Sequence, residues 1–195
     1  MIVHDITKEA TRVTDSNIWV ADLQWEKRID CGEDCNLSKI KMSSHSGTHI
    51  DTPYHFLEDG KCISNYPMSR FFGGCTVVTV NRVLTGEDME QLLPRCKKKI
   101  LFKGGENGVL SSSAVYVMAD YGVELVGTEN MCVAFELEKD KVNRELAYND
   151  VLVINNLDLS KINDGIYTMV ALPLKVDGAE ATPCRAILLE QEKGW

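Results

Sequence analysis

The stretch SSHSGTHIDTPYHF, residues 43–56, carries three of the chain's four histidines, with an aspartate, a glycine and a proline among them. Read as extended backbone, His49 and Asp51 stand two apart and project from one face. His45 lies four residues before His49, with Gly47 between them. Glycine adopts backbone angles that other residues resist, so a bend at Gly47 can gather two imidazoles and one carboxylate at a single point. Two nitrogens and an oxygen suit Zn²⁺, Mn²⁺ or Fe²⁺ and leave coordination positions open for water or substrate. Pro53 sets the turn that follows, and His55 comes back nearby. A histidine beside such a cation, but not needed as a ligand, is suited to moving protons. The same ligand set serves iron oxygenases, so spacing alone leaves the reaction open.

Composition bounds the rest. At 195 residues the expectation is one domain, residues 1–195, large enough for a substantial core. A formal net charge of −8 argues against a nucleic-acid partner, because phosphate binding needs a surplus of Lys and Arg. RCKKKI (95–100) is the one dense basic cluster and reads as a solvated loop or strand entry. The N-terminus turns polar after Met1, so no signal peptide is expected, and no run approaches the roughly 20 apolar residues that span a membrane. The seven cysteines are odd in number and mostly isolated, which points to a reducing cytoplasm rather than a disulfide framework. Cys31 and Cys35 have no second Cys/His pair at finger-like spacing.

Along the chain the patterning predicts strands at 36–46, 75–84, 99–104, 124–129, 150–157, 165–178 and 185–190, with 150–157 central because it is almost continuously apolar. In the first of these, Leu37, Ile40 and Met42 supply the apolar positions. A helix is expected over 111–123, capped by serine, with Ala114, Val117, Met118 and Tyr121 on one face and Gly122 at its end. A short helix is expected over 143–148. Many strands and two moderate helices favour an α/β or α+β sandwich with a mixed sheet. YPMSRFFGG (66–74) reads as core packing. FKGGENG (102–108) lacks the lysine of a phosphate-binding loop and reads as a turn at a strand end.

HSGTHIDTPYHF (45–56) resembles the H-x-G-T-H-x-D-x-P-x-H-F signature of the metal-dependent cyclase-like hydrolases, a family that includes bacterial kynurenine formamidase and isatin hydrolase. The resemblance runs on through LSSSAVYVMADYGVELVGTE and through the Leu-Pro-Leu and Pro-x-Arg-Ala elements near the C-terminus. IWVAD (18–22) is a weak counterpart of the family's Trp-Pro-Gly-Asp segment. The resemblance implies a swivelling β/β/α fold around a mixed central sheet, and a homodimer or homotetramer. It implies His45, His49 and Asp51 as ligands of a divalent metal, Zn or Mn, and His55 as the proton shuttle. Trp19, Phe56 and Asn155 are the candidates for contacts with a small-molecule substrate.

One departure from the pattern matters. The formamidase branch carries a His-His pair on the late helix and a glutamate in an LENL strand, which help to hold a second metal through one histidine position and the glutamate position. Here those positions fall on Asn143 and Asn155. An amide lends a carbonyl oxygen but does not offset a cation's charge. One metal is therefore expected. Glu145 and Asp158 lie close by in sequence, but their spacing does not fit the missing ligands. The readings that follow are a single-metal hydrolase of an amide, formamide or lactam, a catalytically silent binding protein on the same fold, and a cyclase or dehydratase.

Overall fold

The computed structural model describes residues 1–11, 20–105 and 108–191. Its strands are β1 (Ile2–Asp5), β2 (Asp22–Lys27), β3 (Leu37–Lys41), β4 (His49–Asp51) and β5 (Phe72–Thr79). They continue with β6 (Lys99–Lys103), β7 (Leu125–Thr128), β8 (Leu152–Asn155), β9 (Gly165–Pro173) and β10 (Ala181–Glu190). Three α-helices connect the middle strands: α1 (Gly86–Leu92), α2 (Ser112–Asp120) and α3 (Lys139–Tyr148).

The run β5-β6-β7-β8 is parallel, and each crossover carries one helix, as parallel pairing requires. Antiparallel β4, β10 and β9 flank it in the order β1-β10-β4-β8-β7-β6-β5-β9. A further β9–β10 pairing joins the two ends into a ring and leaves β1 outside on β10. The expected mixed sheet is present, with β8 inside it; it closes into a barrel rather than opening as a sandwich.

Strands buried on both faces explain the continuous apolar runs. Leu101, Leu125, Leu152 and Ile154 belong to one buried cluster, with Ile50, Met169, Ala186 and Leu188. Their neighbours Ile100, Phe102, Val126 and Val153 belong to a second, with Ala114, Met118, Val142 and Leu146 of the helices. The first cluster fills the ring and the second cements the helices to its outside. Tyr66 and Phe71 join the ring core, as expected of YPMSRFFGG, whereas Phe72 is exposed.

Several local expectations change. Helix α2 begins as foreseen, with the Ser111 hydroxyl accepting from Ala114 N–H, and Gly122 follows it at φ +64°. Its buried face is Ala114, Val115 and Met118, however, and Tyr121 is exposed. Helix α3 starts four residues before the expected position 143. Helix α1 was not foreseen, although Thr85 and Asp88 form a reciprocal capping box at its start. Lys99 of the basic cluster is buried at the entry of β6 and pairs with Glu124 at 3.2 Å, while Lys97 and Lys98 stay exposed. The backbone N–H groups of Gly104 and Gly105 bind the Glu129 carboxylate at 2.9 and 3.1 Å, so the glycine turn grips a side chain of the protein itself. The 36–46 segment forms β3, but among the described residues β3 pairs only with β2, in a separate hairpin, and Leu37, Ile40 and Met42 are exposed.

Asp150 fastens the entry to β8. It follows α3 in the left-handed region at φ +57°, with its N–H bonded to the Ala147 carbonyl and Val151 N–H to that of Leu146. Its carboxylate accepts from Tyr66 Oη at 2.6 Å, Lys61 Nζ at 3.0 Å and Arg70 Nη1 at 3.2 Å. Burial opposes the charge, but these donors hold the Asp150 pKa below the usual carboxylate value. A lowered pKa contributes stability above the unfolded value near 3.9 and loses it as pH falls through the folded value. Asp150→Asn tolerates the same backbone but lacks the charge. The variant is expected to melt below the wild type at pH 7, with the gap in Tm closing as pH drops below about 4; a constant gap from pH 7 to 2 contradicts this.

Candidate metal centre

Strand β4 is three residues long and hydrogen-bonded on both sides. His49, Ile50 and Asp51 lie opposite Asn155, Ile154 and Val153 of β8, and opposite Pro183, Thr182 and Ala181 of β10. Ile50 points into the ring core, so His49 and Asp51 face outward, on the side of α3. The segment before the strand is shaped by its own hydroxyls. Ser46 Oγ accepts from Ser43 N–H at 3.0 Å, and Ser43 Oγ accepts from His45 N–H at 3.2 Å. Gly47 then bends the chain at φ +62°, where a Cβ would lie 2.9 Å from Ala10 Cα. The bend expected at Gly47 is therefore present, and only glycine fits it.

The three side chains converge. His45 Nδ1 lies 3.1 Å and His49 Nε2 3.5 Å from the same oxygen, Asp51 Oδ1. The two rings stand perpendicular, with centroids 5.0 Å apart. Asp51 Oδ1 is buried without a properly aligned hydrogen bond among the described residues, whereas Oδ2 accepts from Asn155 Nδ2 at 2.7 Å. Buried charges are paired or coordinate metals. Two imidazole nitrogens aimed at one orphaned carboxylate oxygen make a donor set that fits a divalent cation. Burial works against the Asp51 charge, but the imidazoles of His45, His49 and His55 hold its pKa below the ordinary value. Burial lowers the His49 pKa and keeps that ring neutral; its Nδ1 pairs with the Gly47 carbonyl at 2.8 Å.

His55 sits apart from this trio. It ends a short 3-10 turn, Pro53–His55, that begins at the expected proline. Its ring centroid lies 4.6 Å from that of His45, the two rings tilted by 45°, and 4.3 Å from that of Phe56, which it meets edge-on. Burial and the neighbouring His45 lower its pKa, while Asp51 and Glu180 oppose them.

A cavity of about 570 Å³ opens over these groups. Its apolar wall includes Phe56, Met131, Val133 and Val153, and its polar wall includes the four named residues, Asn143, Asn155 and Glu180. Of the candidates for substrate contact, Phe56 and Asn155 both line this cavity, and Trp19 lies outside the described residues. Asn143, on α3, is buried beside Cys132, its amide 3.6 Å from the sulfur. Glu145 instead accepts from Tyr116 Oη, and Asp158 from Ser160; neither lines the cavity. The sequence reading passed over Glu180, whose Oε1 is 3.3 Å from His45 Nε2. It also passed over Cys132. The only signal for Glu180 is an acidic residue opening a strand in VDGAEATPCRA; nothing local ties it to the histidines.

The family model described as "Putative cyclase" matches residues 2–134. The kynurenine formamidase of Salinibacter ruber is 30% identical over an alignment covering 96% of this chain and 97% of its own. A solved structure described as a predicted metal-dependent hydrolase from Bacillus stearothermophilus superposes with a TM-score of 0.78 at 26% identity, over 96% of this chain and 97% of that one. An isatin hydrolase bound to thioisatinate shares the fold at a TM-score of 0.80 but only 13% identity, over 97% and 92% of the two chains.

The Gly47 bend is open to a direct check. Gly47→Ala is expected to lose about 1–2 kcal/mol from the left-handed backbone, and more from the approach to Ala10. Urea unfolding at the wild-type midpoint speaks against the strain.

Proposed function

The chain belongs to the cyclase family, and from that premise we propose that it is a metal-dependent hydrolase of a small amide, formamide or lactam, cleaving a carbon–nitrogen bond. The observation that carries this reading is the convergence of His45, His49 and Asp51 on one point, with His55 beside it but outside the set. His45, His49 and Asp51 hold the cation, Zn²⁺ or Mn²⁺. A divalent cation bound there supplies Lewis acidity, which acidifies water and polarises a carbonyl oxygen. His55 takes the proton of the attacking water and returns it to the leaving nitrogen. Such acid–base help is typically worth about 100- to 10,000-fold. Phe56 and the apolar wall hold the body of the substrate, and Asn155 meets its polar end.

A single cation is the better fit. Asn155 Nδ2 donates to Asp51 Oδ2, so that oxygen already has a partner within the protein. Asn143 and Asn155 are both neutral, so a second ion held at those two positions would have no carboxylate from them to offset its charge. The reading extends to a homo-oligomer. In the β2–β3 hairpin Leu23, Trp25 and Ile40 share one face and are 44%, 53% and 57% exposed. A two-stranded hairpin is marginal in water unless its apolar face is covered. A second copy of the chain is the proposed cover, in a homodimer or homotetramer. All seven cysteines are free thiols and no helix among the described residues is long and apolar enough to cross a membrane, in keeping with a cytoplasmic setting.

The test is metal content followed by turnover of formamides and cyclic imides, with and without added Zn²⁺ or Mn²⁺. One ion per chain and metal-dependent hydrolysis are expected. His49→Ala should lose the ion, and His55→Ala should keep it while kcat falls at least about 100-fold. No uptake at micromolar ion removes the hydrolase reading. Uptake without turnover across the panel assigns the chain to binding instead. Light scattering behind size exclusion should give a dimer or larger, and a monomer at micromolar concentration refutes the covered hairpin.

A further inference from the structure

Glu180 stands one residue before Ala181, which lies opposite Asp51 in the β4–β10 pair. Its backbone carbonyl accepts both Thr52 N–H and Thr52 Oγ1–H at 2.9 Å. Its carboxylate oxygen Oε1 accepts from Ser44 Oγ at 2.6 Å. The residue is thus tied to the chain on both sides of the histidine strand, and its carboxylate is aimed at His45.

The two nitrogens of His45 face different partners. Nδ1 is 3.1 Å from Asp51 Oδ1, and Nε2 is 3.3 Å from Glu180 Oε1. A neutral imidazole that ligates through one nitrogen carries its proton on the other. With Nδ1 on the cation's side, the proton belongs on Nε2, where the Glu180 carboxylate can accept it. His49 is arranged the other way round, with Nδ1–H on the Gly47 carbonyl at 2.8 Å and Nε2 turned to Asp51.

We infer that Glu180 is a positioning residue for the metal centre: it holds His45 in the tautomer and orientation that present Nδ1 to the cation, and Ser44 braces it. The inference rests on the metal reading above. Carboxylates behind a ligand imidazole fix its ring and raise its basicity, and losing one typically costs about 10- to 100-fold in metal affinity. The competing assignment is a second cation held by His45, His55 and Glu180, whose donor atoms lie within 4.8 Å of one another. That assignment needs His45 Nε2 without its proton.

The experiment titrates Zn²⁺ into metal-free wild type, Glu180→Gln, Glu180→Asp and Ser44→Ala by calorimetry, with circular dichroism to confirm folding. Long-range ¹⁵N–¹H spectra of the zinc-loaded wild type report the His45 tautomer. The expected result is one ion per chain in every protein. Kd should rise about 10- to 100-fold in Glu180→Gln, recover in part in Glu180→Asp, and rise less in Ser44→Ala. The His45 proton should sit on Nε2. An unchanged Kd in folded Glu180→Gln overturns the inference, as does a proton on Nδ1. Two ions in wild type and one in Glu180→Gln make Glu180 a ligand and overturn it in favour of the second cation. Should Glu180→Gln not fold, an unchanged Kd in both Glu180→Asp and Ser44→Ala overturns it equally. Wild type that takes up no Zn²⁺ removes the metal reading itself, a result separate from any of these.

Discussion

Asp51 is a carboxylate buried at the end of a three-residue strand, and the rest of the site follows from the need to satisfy it. Taking such a charge out of water costs several kcal/mol unless neighbours compensate. One oxygen is answered by the Asn155 amide and the other faces two imidazole nitrogens. The groups that answer it come from different parts of the chain. His45 and His49 are local, Asn155 arrives on β8, and Glu180 arrives at the head of β10, behind His45.

Ring closure makes these arrivals dependable. β10 pairs with β4 through its first residues and with β9 and β1 further along. The strand that closes the barrel is therefore also the strand that delivers Glu180. The apolar core inside the ring sets the height of Ile50, and alternation then commits His49 and Asp51 to the outer face, under the start of α3. The histidine–aspartate cluster and core packing share one register. A one-residue slip of β4 would bury two charged or polar side chains in the ring and expose Ile50 to the cavity.

The amides at 143 and 155 bring polar groups without charge to the wall beside the histidine cluster. Asn155 uses its N–H to satisfy Asp51, and Asn143 turns to the Cys132 sulfur. Neither brings charge. The barrel persists at 13% identity to an isatin hydrolase, so the scaffold tolerates wide change in sequence.

The sequence by itself determined which donor side chains gather around β4, and most of the elements. The spacing of His45, Gly47, His49 and Asp51 is a matter of local backbone geometry, and the β-branched runs and the serine cap of α2 act within a few residues. Helix α1 carried a legible capping box at Thr85 and Asp88 that was passed over. The apolar pattern of β3 named a strand but not its surroundings, because alternation does not say whether a face meets a core, a partner or water. Only the tertiary structure decided that Asn155 touches Asp51 across 104 residues and that Glu180 meets Ser44 across 136. Those meetings depend on the register of strands brought together by barrel closure, and no spacing along the chain encodes that register.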